Sequence, residues 1–139
     1  GGAIQNAYGI SKEELKAAIP CGISKINVDT DIRLAVTRNL RELFRDRPEL
    51  KTDARIGGVW ELLDKNRAAF DPRAFLPPLM DTVMYGTGDD GTVALITDAM
   101  RRGVREAVGT LIVEFGSVGR APLVELAGLD EMAARYAKE

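Results

Sequence analysis

One segment of this chain alternates in the manner of a β-strand, and helical patterns surround it. Residues Ser24-Lys25-Ile26-Asn27-Val28 place polar and apolar side chains in turn, which predicts a short strand with one apolar face. A strand needs a partner for its backbone donors and acceptors. The fold is therefore either α/β, with this strand paired to strands outside the sequence, or all-α, with the strand interpretation wrong.

Helices are predicted on both sides of the strand. Ser11 and Glu14 form a capping box that begins the first helix, and Pro20 and Gly22 end it. A long helix begins near Asp29, Thr30 and Asp31, all of which suit a cap or first turn. Its apolar face consists of Ile32, Val36, Leu40, Leu43 and Phe44.

The remaining two thirds of the chain is also predicted to be helical. Asp71-Pro72 is a typical helix start, and Pro77-Pro78 should kink or restart that helix. Its apolar face is predicted to include Phe75, Leu79 and Met80. Further amphipathic patterns cover residues 56–66, 92–115 and 130–137, with Val59, Trp60, Leu62 and Leu63 buried in the first of them.

Composition excludes several kinds of chemistry. The 139 residues contain no histidine and one cysteine, so the chain holds no Ser-His-Asp triad, no histidine metal ligand and no internal disulfide. A single cysteine favours a reducing compartment, and we expect the cytoplasm. The net charge of −2 argues against a nucleic-acid surface, and the apolar runs are too short to cross a bilayer.

Two candidate motifs have simpler explanations. Residues 86–91 fit the pattern G-x-G-x-x-G, but no predicted strand precedes them, and Asp89 and Asp90 would repel a pyrophosphate. A loop that connects helices is the better interpretation. Cys21 has no histidine to activate it, so an inert thiol is expected.

The polar residues Asn27, Asp29 and Asp31 form a more informative cluster. They crowd the point where the predicted strand leads into the long helix. Ligands of α/β folds bind outside the carboxyl ends of strands, and the free amides of a helix start suit a phosphate. The carboxylates argue against an anion unless they point elsewhere. From the residues alone, a ligand site and a simple helix cap remain equally good explanations.

The same residues carry a family resemblance. Gly1-Gly2-Ala3-Ile4, Tyr8-Gly9-Ile10-Ser11 and the run from Gly22 to Ala35, with its Asn27-Val28-Asp29-Thr30-Asp31 signature, resemble class II fructose-1,6-bisphosphate aldolase. Phe70-Asp71-Pro72-Arg73, Phe115-Gly116-Ser117 and the ending Glu131–Tyr136 are similar to the same family. The resemblance is to the C-terminal portion of that enzyme.

What the resemblance implies is an α/β fold. Residues 1–44 would be the last strand and helix of a (β/α)₈ TIM barrel, and residues 45–139 a helical C-terminal extension of the same domain. The activity implied is zinc-dependent cleavage of fructose 1,6-bisphosphate to dihydroxyacetone phosphate and glyceraldehyde 3-phosphate, in glycolysis and gluconeogenesis. Tagatose 1,6-bisphosphate cleavage is a close alternative.

The resemblance also implies site residues. Asn27 and Asp29 would be catalytic, with Asn27 at the reacting carbons and Asp29 on a substrate hydroxyl. Val28 and Thr30 would complete the dihydroxyacetone phosphate site. Arg73 would reach the other phosphate of the sugar from a neighbouring subunit of a homo-oligomer.

The zinc ligands implied by the family are not in this sequence. They and the rest of the barrel would lie upstream of Gly1, since a full barrel takes about 250 residues. We therefore expect the chain alone neither to bind zinc at the family site nor to turn over substrate. A second hypothesis is a non-catalytic helical module derived from the family, which acts in oligomerisation.

Overall fold

All regular secondary structure in the described part of the protein is helical. The computed structural model describes residues 10–84, 91–124 and 127–137. The α-helices are α1 Lys12–Ala18, α2 Thr30–Asp46, α3 Gly57–Lys65, α4 Pro77–Met84, α5 Gly91–Glu114 and α6 Leu129–Tyr136. Short 3₁₀ helices cover Ile19–Cys21, Pro48–Thr52, Pro72–Ala74 and Ala121–Leu123.

The predicted strand at residues 24–28 is wrong, and with it the assignment of the fold as the last strand and helix of a TIM barrel. The segment has no regular secondary structure, and the described residues contain no strand that could pair with it. The alternation of exposure is nevertheless real, because Ile26 and Val28 are half-buried while Lys25, Asn27 and Asp29 are exposed. Periodicity reports which way side chains point, whereas a strand also requires paired backbone groups.

The core lies where α2 packs along α5. Asp31 at the start of α2 and Thr110 near the end of α5 line one cleft, so the two helices run in opposite directions. The buried hydrophobic side chains are Val36, Leu40, Phe44, Leu50, Ile56, Val59, Leu63, Phe75, Leu79, Ile96 and Ala99. The predicted apolar face of α2 is confirmed at Val36, Leu40 and Phe44.

Gly103 sets how closely α2 and α5 approach. A Cβ atom at this position would lie 2.7 Å from the carbonyl oxygen of Ala35 and from the amide nitrogen and Cα of Val36. These are backbone atoms of α2, which no side-chain rotation can move aside. The glycine therefore places two helix backbones in direct contact at the middle of the core.

Helix α3 and the 3₁₀ helix before it cover one end of that core. Val59 and Leu63 are fully buried, as predicted, while Trp60 is only partly so. The Trp60 ring packs against Phe44 with centroids 5.6 Å apart, and the Lys51 ammonium lies 4.3 Å from its centroid. The lysine thereby covers the open side of the indole.

The segment from Phe70 to Arg73, here called the elbow, turns the chain between α3 and α4. Asp71 caps the 3₁₀ helix that begins at Pro72, and α4 restarts at Pro77, so the predicted start and break are confirmed. The buried Thr37 hydroxyl of α2 donates to the carbonyl oxygen of Phe70 at 2.9 Å. Met80 was predicted to belong to the apolar face that packs on the core. This prediction is wrong, because 45% of the Met80 surface is exposed.

The chain after α5 packs little against the core. Helix α6 contains no buried residue, and Val118, Leu123 and Leu129 are exposed. Among the described residues, none of the helices has the length and hydropathy that a membrane crossing requires. Residues 1–9, which carry part of the family resemblance, and positions 86–90 of the glycine-rich loop lie outside the described residues.

Candidate functional site

The signature segment lines an open cleft between α1 and the start of α2. The cleft has a volume of about 450 Å³. Its walls are formed by Ile10, Glu14, Leu15, Ala18, Ile23, Lys25, Ile26 and residues 27–31. The lining combines apolar side chains of α1 and of Ile26 and Val28 with the polar side chains of the signature. Such a mixture of apolar walls and few polar groups is typical of small-molecule sites.

The capping box predicted for α1 fixes one side of this cleft. The Glu14 amide donates to the Ser11 hydroxyl at 3.2 Å, and the Glu14 carboxylate accepts from the Ser11 amide at 2.9 Å. The bond from the Ser11 amide, and a second one from the Ser11 hydroxyl at 2.8 Å, lower the pKa of the Glu14 carboxyl group. The cap therefore fixes the first turn of α1, and Glu14 of that turn lines the cleft.

The N-terminus of α2 opens at the other side of the cleft. Asp29 is its N-cap residue, yet no side chain caps the helix, because the Asp29 carboxylate does not bond to the first-turn amides. Its backbone carbonyl accepts the first helical bond, from Arg33 at 3.1 Å. The first-turn amides are thus left available at the positive end of the helix dipole.

The Asp29 carboxylate is held by Arg33, one helical turn along α2. Arg33 Nε donates to Asp29 Oδ1 at 2.6 Å, and Arg33 Nη2 donates to Asp29 Oδ2. This is the two-pronged pairing of a guanidinium with a carboxylate, which fixes orientation as well as charge. It holds the Asp29 carboxylate on Arg33 instead of on the helix amides and offsets part of its charge.

Arg33 reaches a second carboxylate on the elbow. Its Nη1 donates to Asp71 Oδ2 at 2.7 Å. Asp71 also accepts from Arg73, through Nε at 3.0 Å and Nη2 at 2.6 Å, and from the Arg73 amide at 3.0 Å. These bonds from Arg73, with the nearby charge of Arg33, lower the pKa of Asp71 to about 2.

The structure thus brings four of the five predicted site residues to the cleft. Asn27, Val28, Asp29 and Thr30 all line it. Arg73 does not line the cleft, but it joins Asp29 in a network of two carboxylates and two guanidinium groups. Within the described part of the chain, the exposed Asn27 amide makes no hydrogen bond and is free to face a ligand.

Sequence reasoning missed two members of this network as site residues, Arg33 and Asp71. The first had a local signal, since an acid at position i and an arginine at i+4 face each other on a helix. Asp71 was identified only as a cap. Its contact with Arg33 joins positions 38 residues apart, and no local pattern indicates such a contact.

A metal site is not assembled by the described residues themselves. No group of three or more Cys, Asp or Glu side chains among them could hold a metal ion. Cys21, the one thiol, is exposed, and its Sγ lies 3.5 Å from the carbonyl oxygen of Ala17. These residues do not fit a zinc centre, which requires three or four N, S or O ligands that converge.

The comparisons with known proteins identify one family. Residues 4–120 match the family model described as fructose-bisphosphate aldolase class-II. A fructose-bisphosphate aldolase of Nostoc sp. (strain PCC 7120 / SAG 25.82 / UTEX 2576) is 31% identical over 99% of this chain and 27% of its own length. One from Thermus caldophilus is 36% identical over 87% of this chain and 27% of its own length.

A third relative, fructose-bisphosphate aldolase 2 of Rhodobacter capsulatus, is 28% identical over 99% of this chain and 85% of its own length. The chain spans about a quarter of the length of the first curated relatives that it matches. No solved structure matches the chain.

Proposed function

The chain belongs to the class II fructose-bisphosphate aldolase family, and from this premise we propose that it carries part of the substrate site of such an enzyme. The reaction proposed is the reversible cleavage of fructose 1,6-bisphosphate to dihydroxyacetone phosphate and glyceraldehyde 3-phosphate, in the cytoplasm. The observation that carries the proposal is the cleft at the start of α2, which is lined by residues 27–31.

Asn27 and Asp29 are proposed to act on the reacting part of the sugar. The Asn27 amide offers one acceptor and two donors without a charge, which suits contacts to the oxygens on the carbons whose bond is broken. Asp29 is fixed by Arg33, yet each carboxylate oxygen retains a further lone pair. It can therefore accept a hydrogen bond from a substrate hydroxyl while it stays in place.

Thr30 and the first-turn amides of α2 are proposed to bind the phosphate of dihydroxyacetone phosphate. An anion is favoured there by the helix dipole and by amides that no side chain caps. Val28, which is half-buried in the cleft wall, would place its backbone and apolar side chain against the same ligand. Pairing with Arg33 offsets part of the Asp29 charge, whereas the Asp31 carboxylate in the same first turn would have to point away from the anion.

Arg73 is proposed to bind the other phosphate of the bisphosphate. Its side chain is 78% exposed, and its pairing with Asp71 leaves one guanidinium nitrogen without a bond to that carboxylate. In a homo-oligomer this exposed group would reach the site of a neighbouring subunit. Mixed oligomers of an Asn27 variant and an Arg73 variant test this directly, because sites shared between subunits regain activity.

We propose that the zinc of the family is held by residues elsewhere than in the described part of this chain. The described residues contain no ligand set for it, so their own part in the reaction is to bind and orient the sugar. We propose that the rest of the aldolase supplies the metal site and that the 139-residue chain alone is inactive. Metal-stimulated cleavage by the chain alone would overturn this part of the proposal.

The main test is a kinetic comparison in the complete protein. Asn27→Ala should lower kcat by roughly 100-fold, which is typical of removing one oriented polar group from a reacting centre. Arg73→Ala should raise KM for fructose 1,6-bisphosphate about tenfold, the size expected for loss of a charge-assisted contact, while the exposed Arg45→Ala serves as the control. An unchanged KM in the Arg73→Ala protein removes Arg73 from the site. If the wild-type protein has a higher kcat/KM for tagatose 1,6-bisphosphate than for fructose 1,6-bisphosphate, the tagatose compound is the substrate.

A second candidate function is supported by the exposed apolar side chains of α5. Val104, Val108 and Ile112 follow one another at intervals of four residues and are 38–42% exposed. Such a stripe suits a non-catalytic module that assembles with other helices. The mass of one polypeptide of the natural protein distinguishes the two functions. A mass near 15 kDa favours the module, and a mass above roughly 30 kDa favours the aldolase.

A further inference from the structure

We propose that Arg33 is a positioning residue. It couples Asp29, in the signature segment at residues 27–31, to the guanidinium of Arg73, and the connection passes through the carboxylate of Asp71. The inference rests on the proposed function. It deepens that function by naming the side chain that orients Asp29, at one sugar site, relative to Arg73, which would bind the second phosphate in the site of a neighbouring subunit.

The geometry shows one guanidinium shared between two chain segments. Arg33 uses Nε and Nη2 for Asp29 and Nη1 for Asp71. A planar group with donors at fixed angles sets the relative orientation of both carboxylates. A lysine ammonium carries the same charge but has no such plane, so it cannot hold the two carboxylates in this arrangement.

The exposure of the four side chains places Arg33 and Asp71 at the centre of the network. Both are 28% exposed, whereas Asp29 is 66% and Arg73 is 78% exposed. The shielded pair therefore connects two groups that remain open to a ligand. Ion pairs in this partly buried position are screened less by water than those at the open ends.

The elbow does not depend on Arg33 alone for its place. Thr37, one turn further along α2, bonds to the Phe70 carbonyl, and the fully buried Phe75 anchors the chain that follows. Loss of Arg33 should therefore change the orientation of Asp71 and Arg73 more than it unfolds the segment.

Charge balance gives Arg33 a second consequence. When Arg73 turns toward a phosphate, it gives up part of its pairing with Asp71. Without Arg33, the Asp71 carboxylate would then be left without a cation. Arg33 remains beside Asp71 and compensates its charge. The release of Arg73 to an anion is thereby made easier.

The test uses the complete protein and five variants. Arg33→Gln should raise KM for fructose 1,6-bisphosphate roughly tenfold, the size expected for loss of a charge-assisted contact. Arg33→Lys should behave like Arg33→Gln if geometry matters and like the wild type if charge alone matters. Arg38→Gln is the matched control, because Arg38 lies on the same helix and pairs with Glu106 away from the site. In an Arg73→Ala background, Arg33→Gln should raise KM by a smaller factor than it does when Arg73 is present, because only its effect through Asp29 remains.

Two kinetic results would overturn the coupling between Arg33 and Arg73. One is an Arg33→Gln protein with unchanged KM, and the other is an equal loss from Arg33→Gln whether or not Arg73 is present, since a purely structural role predicts that. Equal behaviour of Arg33→Lys and wild type would also contradict the shared-guanidinium geometry.

A spectroscopic measurement separates this inference from the proposed function. Asp29→Asn should shift the ¹⁵Nε resonance of Arg73 in the wild type and not in the Arg33→Gln protein. If the complete protein cleaves neither ketose bisphosphate, the proposed function fails while this measurement still tests the coupling. A shift that persists without Arg33 would overturn the coupling and leave the proposed function untouched.

Discussion

The close approach of α2 and α5 predicts that Gly103→Ala destabilises the protein. The new methyl carbon would lie 2.7 Å from three backbone atoms of Ala35 and Val36, and ordinary contact begins at 3.4 Å. The two helices must therefore separate by about 0.7 Å at this point. Overpacking of this kind costs about 1–3 kcal/mol, because the surrounding core is already filled.

Helix propensity works in the opposite direction and needs a control. Alanine stabilises a helix interior by about 1 kcal/mol over glycine, which offsets part of the cost at Gly103. Gly109 lies on the same helix, and a Cβ atom there would meet nothing within 4 Å. Gly109→Ala should therefore stabilise the protein by up to about 1 kcal/mol. The difference between the two variants isolates the contact between the helices.

The assay is urea unfolding followed by circular dichroism, with thermal unfolding in parallel. The free energies of unfolding of the two variants should differ by about 1–3 kcal/mol, with Gly103→Ala the less stable. At roughly 4 °C per kcal/mol for a chain of this size, the melting temperatures should differ by about 4–12 °C. Equal stability of the two variants would refute the packing argument, because only helix propensity would then act.

Three other expectations concern the site and the core. The pKa of Asp71 is lowered from 3.8 to about 2, so its contribution to stability is complete above pH 4 and is lost as the pH falls through 2. Acid unfolding should therefore begin at higher pH in Asp71→Asn than in the exposed control Asp130→Asn, and coincident curves would contradict this. Ser11→Ala should weaken α1 by about 1 kcal/mol, seen as faster amide hydrogen exchange in that helix, while Ser24→Ala should leave it unchanged. Phe44→Ala removes a fully buried ring and should cost about 3–5 kcal/mol in urea unfolding, and a loss below about 1 kcal/mol would mean that the core is not where the structure places it.

Local patterns predicted most of the helices. The capping box at Ser11, the apolar faces of α2 and α3, and the break at Pro77 are present in the structure. Each depends on contacts within one or two turns, which can be counted directly along the sequence. The signature segment at residues 27–31 also lines the cleft at the start of α2.

The predicted strand is wrong because the periodicity of side chains carries no information about backbone pairing. Residues 24–28 alternate between exposed and half-buried side chains, as a strand does, yet the described chain offers no second strand. Met80 was likewise assigned to the core from spacing alone, and 45% of its surface is exposed, because α4 turns that position outward.

The sequence by itself determined which residues form helices and which segment carries the family signature, because both depend on residues that are close together along the chain. Only the tertiary structure decided that Arg33 joins Asp29 to Asp71 and that Gly103 brings two helices into contact. The physical reason is that these contacts join residues 38 and more positions apart, and their existence depends on how α2 packs against α5 and the elbow.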